Sequence, residues 1–417
     1  MIRHATPKLT TTKLVLMLIC CWVVATPLTV PSAVLAQSGL PQHSMNWPAL
    51  AQRIVDQLQL EPGEKVISVA QPGMFEEFIP HFRYAVMQAG GIDMGVIDVL
   101  DPPYPETWDQ GVIRAGFAKS SDAYVKMLED IDAAVMMPGA NPTLPAYKAL
   151  QILLQEKAGP RRTIHFHWTD AYSPSGNETG LTGVNVLPGH PPPPMQVIDR
   201  VYQNAVLETD LAALDEHQDR FIAALKNGDV RVTSPAGTDL RFRVEGRDII
   251  QQNGDASAKR MRQGKPFLDR EVEIPGGAVR VAPLETTVQG QVVYPYSAWN
   301  GYSVTNATLV YENGRIVEVK ADAGLEHLQA ELDAAPDEAK YFREFALGFN
   351  PLLSPEVTQG WIGYYGYGAG VVRLGVGNNG ELGGTVSGRF FRWRDLLIDC
   401  TVTIDGEVWL KDGKFVK

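Results

Sequence analysis

KVISVA, residues 65–70, is a short apolar run with helix-periodic sequence on either side, at 48–60 and 75–89, and that alternation decides the fold of the first half. The pattern repeats outward. Residues 75–89 lead to an apolar run at 94–100, 122–130 to one at 133–137, and 144–157 to one at 163–168. Apolar strands without in-and-out alternation, separated by helices, imply a parallel sheet covered on both faces. Residues 37–190 therefore read as an α/β domain with an open, mostly parallel sheet. Ligands of such sheets sit beyond the carboxyl ends of the strands, which here means the loops 71–73, 101–119, 138–142 and HFHWTD at 165–170.

Within HFHWTD, His165 and His167 are two residues apart and project to one face of a strand. Joined by Asp170 or His190, they make a candidate transition-metal site, since imidazole suits zinc, copper and iron. The alternative is a pair of core histidines satisfied by backbone groups. LPGHPPPP at 187–194 is a stiff proline run that ends the domain. A helical connecting segment follows at 191–226, broken near Thr209.

From Asn227 the pattern becomes short and β-rich, so 227–417 reads as a β-rich α+β domain. Asn313-Gly314 between alternating apolar residues is a hairpin signal. Asp405-Gly406 and Asp412-Gly413 mark two further turns, and 324–334 and 337–345 read as helices. The glycines of 363–384 lack the spacing of a phosphate loop and suit tight turns with close backbone approach.

YFREFALGFNP at 341–351 places a single carboxylate, Glu344, among apolar neighbours. A carboxylate in such company faces either a cation or a site. Taken with PAGTDLRFRVEGR (235–247), IPGGAVRVAP (274–283), LVYENGRIVEVKAD (309–322) and DGEVWLKDGKF (405–415), this stretch resembles the thermophilic metallo-aminopeptidases of the aminopeptidase T type, over about residues 204–417. The resemblance implies hydrolysis at peptide N-termini, divalent metal as cofactor, a two-metal site and a homodimer.

The implied ligands, taken residue by residue, are incomplete. The glutamate of the PGGE block falls on Ala278, and Glu273 and Glu285 are the neighbouring carboxylates that are candidates to replace it. Glu344 is kept. A histidine falls on Arg373 in GVVRLGVG (370–377), and a His-x-Asp pair falls on Trp393 and Asp395 in RWRDLLID (392–399). Glu344 and Asp395 are thus the retained catalytic and metal positions, two of five. Two-metal hydrolysis needs cations held close together by shared ligands, and a guanidinium, always protonated, repels them. An ion pair between Arg373 and Glu344 is one outcome of the exchange. In a second reading the cleft is converted to hold a peptide or small carboxylate through Arg373, Arg392 and Arg394, beside Tyr364 and Tyr365.

The 417 residues carry a formal charge of −11, and removal of residues 1–36, with three basic and no acidic side chains, takes it to −14. Such acidity excludes nucleic acid and anionic membrane as natural partners. Residues 1–36 read as a cleavable secretory signal: a basic start, an apolar run at 14–25 and a small-residue cut at Ala36. The run is too short for a comfortable membrane span, so the expected location is secreted or periplasmic. Cys20 and Cys21 leave with the signal. Cys400 then remains alone, without an intramolecular disulfide partner, as a buried thiol.

Overall fold

A computed structural model describes residues 43–100, 104–156, 159–168, 185–363, 365–392 and 395–417. The expected signal and its cut at Ala36 lie outside them. The described residues fall within one compact unit, Pro41–Lys417. Among them, no helix is long and apolar enough to cross a membrane.

The first sheet is parallel throughout, in the order Ile92–Asp98, Lys65–Ala70, Ala133–Met136, Arg162–Phe166, Glu271–Ile274. Its side chains divide between two cores with a period of two. Val66, Ala70, Ala133, Val135 and Ile164 pack with the helices Trp47–Leu58 and Phe78–Gln88. Ile67, Val69, Ala134 and Met136 face the opposite layer, where the helix Pro145–Glu156 supplies Tyr147, Ala149, Leu150 and Leu153.

The fifth strand, Glu271–Ile274, comes from the half of the chain assigned by its pattern to the β-rich domain. It pairs with Arg162–Phe166 in register, setting His165 beside Glu273. Residues 101–119, expected as a loop, contain the start of a helix, Gln110–Met127, capped by the Asp109 carboxylate on the N–H groups of Gly111 and Val112. This helix fully buries only Ser121, and the apolar stripe it packs on the core, Phe117, Tyr124 and Val125, is half-buried and interrupted by Ser120 and Ser121, which weakens the signal that periodicity detects.

The helices Met195–Leu207 and Leu211–Leu225 meet at the expected break, and Asp210 caps the second. Beyond them lie two antiparallel systems. One sheet runs Phe391–Arg392, Val372–Gly377, Phe342–Gly348, Ala278–Val281, Ile249–Gln252, with Leu396–Leu397 also pairing on Val372–Gly377. The other is an eight-stranded antiparallel sheet built of hairpins joined by pairings between segments distant in sequence. Their turns at Asn313-Gly314, Asp405-Gly406 and Asp412-Gly413 all have positive φ at both positions, as two-residue hairpin turns demand.

Residues 337–345 are not a helix. A 3-10 turn at Asp337–Lys340 gives way to the strand Phe342–Gly348, buried along all of its length. Its Glu, Ala and Leu favour helix locally, but strands pair with it on both sides and tertiary context overrides propensity. Register then sorts the side chains of this sheet. Val279, Val281, Phe345, Leu347, Val372 and Leu374 fill the apolar core against the eight-stranded sheet. Ala278, Arg280, Glu344 and Arg373 occupy the other face.

Candidate functional site

That face carries a buried ion cluster. Arg280 donates from Nε and Nη2 to Glu344 Oε2 at 3.2 and 3.1 Å. Arg373 Nε lies 3.2 Å and Arg343 Nε 3.7 Å from Glu344 Oε1. Glu344 is completely buried. Burial alone would raise its pKa, yet Arg280, Arg373 and Arg343 hold it at about 2. Burial lowers Arg373, and Glu344 only partly offsets this. For Arg280 the same burial is outweighed by Glu344, which keeps it above its ordinary value. Arg343 also reaches Glu381 and the Asn378 carbonyl. A carboxylate so surrounded is a poor ligand for a divalent ion, because each guanidinium stays charged. The residues at these positions do not fit the two-metal centre that the resemblance implies.

Asp395 stands in a different cluster. Arg392 grips it with Nε at 2.7 Å and Nη2 at 3.0 Å, donates to the Ala298 carbonyl at 2.7 Å, and lies 3.8 Å over the Trp299 ring. Glu285, the other carboxylate considered for the Ala278 position, is held by Arg247, Asn379 and the Thr385 N–H. Tyr364, Trp393, Arg394 and Asp170 lie outside the described residues. His190 is exposed on a turn. Cys400 is buried, and burial pushes its thiol up.

A second cluster forms at the carboxyl end of the parallel sheet. Donor atoms of His165, His167 and Glu273 all lie within 4.8 Å of one another. Glu273 thus joins the two histidines at the place for which Asp170, outside the described residues, and His190 were the candidates. His165 Nδ1 is 3.7 Å from Glu273 Oε1, its Nε2 is 3.7 Å from Glu271 Oε1, and His167 Nε2 contacts Glu273 Oε2. Tyr147 Oη sits 2.8 Å from His165 Nδ1, and Gln151 donates to Glu271 at 2.8 Å. The Glu273 N–H donates to Gln252 Oε1 at 2.8 Å, fixing the strand that carries it. Burial would raise Glu273, but His167 and His165 hold it well below the usual carboxylate range. Glu271, with weaker compensation, is pushed by burial up to about 7. His165 is lowered by burial and raised more by Glu273 and Glu271.

Tyr365 links the clusters: its ring meets His167 edge-on at 4.3 Å, while its carbonyl accepts from Arg373 Nη1 at 2.7 Å. Buried Tyr367 also lies between the charges of both, with burial and Glu273 raising its phenol. The pairing of Arg373 with Glu344 was readable from the aligned blocks. Arg280, Arg343 and Glu271 were missed. The alternation VRV at 279–281 was the only signal for Arg280, and nothing local marked its partner.

A family model described as thermophilic metalloprotease (M29) matches residues 208–362. Among solved structures, AmpT from Thermus thermophilus is 20% identical with a TM-score of 0.57, over 89% of this chain and 99% of that one. The 2,5-dihydroxypyridine dioxygenase from Pseudomonas putida KT2440 is 14% identical with a TM-score of 0.59, over 89% of this chain and 96% of that one. These likenesses show a shared fold. No curated protein sequence matches the chain.

Proposed function

We propose that this chain, of thermophilic metalloprotease (M29) type over residues 208–362, is an exported aminopeptidase-like protein that keeps the peptidase scaffold without two-metal hydrolysis at Glu344. One observation carries the reading: Glu344 is fully buried within reach of three guanidiniums. Hydrolysis by paired ions requires carboxylates and imidazoles free to share metal. Here the surviving acid neutralises arginines instead. The same geometry weakens anion capture as the alternative, because Arg373 and Arg392 are each engaged by an internal carboxylate.

The test is turnover of leucine p-nitroanilide by protein purified without chelator, with zinc, cobalt or manganese added. The expected result is no metal-dependent turnover that requires Glu344. Metal-dependent activity that persists in His167→Ala but disappears in folded Glu344→Gln overturns the proposal. Export and dimerisation belong to the same reading. Intact mass of the secreted product should match a cut after Ala36, and light scattering should give twice the chain mass.

A further inference from the structure

We propose that His165, His167 and Glu273 hold one divalent transition-metal ion of the zinc type, at a site separate from Glu344. Three lines of geometry converge on it. First, the donors come from adjacent parallel strands in fixed register, with His165 opposite Glu273, and His167 just past the strand end. Second, two imidazoles and one carboxylate are a set that zinc accepts, leaving a fourth position for water or a substrate oxygen. Bonds of about 2.0–2.2 Å place tetrahedral donors roughly 3.4 Å apart. His165 Nδ1 and Glu273 Oε1 are at 3.7 Å and the whole set lies within 4.8 Å, so side-chain adjustment alone brings them to an ion.

Third, the surroundings have the form of an outer shell. With Nδ1 of His165 toward Glu273, Nε2 faces the Glu271 carboxylate, which is in turn held by Gln151. A carboxylate behind a ligating imidazole fixes its tautomer and raises its basicity. Charge points the same way. Glu271 and Glu273 are both buried, and the ion-pair partners of each are imidazoles alone among the described residues. Buried charges are paired or coordinate metals, so two buried carboxylates at one end of the sheet favour a cation there.

The experiment is titration of the chelator-treated full chain with Co²⁺, followed by visible absorption, and with Zn²⁺, followed by calorimetry. One ion per chain is expected. His167→Ala and Glu273→Gln should each weaken binding about 100-fold or more, above the 10–100-fold range typical of losing an outer partner, and Glu271→Gln should fall within that range. Glu344→Gln should leave affinity unchanged, so this site and the proposed loss at Glu344 fail or stand separately. If the ligand variants do not fold, proton NMR of the native chain decides: zinc should shift the imidazole signals of His165 and His167. Absence of binding, unchanged affinity in both folded variants, or imidazole signals indifferent to zinc overturns the proposal.

Discussion

The carboxyl end of the parallel sheet and the polar face of the antiparallel sheet each bury glutamate, and they treat it in opposite ways. Glu344 meets guanidiniums, which never release a proton under ordinary conditions, so the cluster is closed as an internal salt network. Glu273 meets imidazoles, which present a lone pair when neutral, so that cluster remains open to a metal. The kind of base beside the acid, rather than the presence of the acid, separates a structural cluster from a coordinating one.

The largest effect should come from Glu344→Ala. It takes from buried Arg280 and Arg373 the carboxylate they pair with, while Arg343 keeps Glu381, and loss of one partner from a buried pair costs about 3–5 kcal/mol. Urea denaturation should show this, and a loss under about 1 kcal/mol would break the view of Glu344 as a structural hub. Acid should act next. The folded pKa of Glu344, about 2, lies below its ordinary 4.5, so its contribution is fully present above 4.5 and is lost as pH falls toward 2. Wild-type stability should decline across that window more steeply than that of a folded Glu344→Gln variant. Equal slopes would mean that the arginines do not hold the carboxylate ionised. The smallest effect belongs to Asp395→Asn. The Arg392 pair is largely buried, but Arg392 keeps Glu331 and the Ala298 carbonyl, so about 2 kcal/mol is expected, with cobalt binding untouched. Loss of cobalt binding there would return Asp395 to the metal centre.

Four of the five parallel strands were legible as uninterrupted apolar runs. The fifth was not, because EVEI carries two charges and becomes a buried strand only through Gln151, His165 and His167 around those charges. The start of the helix at Gln110–Met127 was illegible for a related reason: polar serines interrupt its half-buried stripe of Phe117, Tyr124 and Val125. Glu344 drew notice as a lone acid in an apolar segment, but its strand conformation depends on neighbours far away in sequence.

The sequence by itself determined the alternation of helix and strand in the first half and the three two-residue turns with their Asn-Gly and Asp-Gly pairs. Such features rest on local periodicity, backbone sterics and side-chain chemistry. Only the tertiary structure decided that Glu273 lies beside His165 and that Arg280 joins Arg373 on Glu344. Those pairings are set by strand register between segments distant along the chain, and register belongs to the whole sheet, since a shift by one residue would send every one of these side chains to the other face.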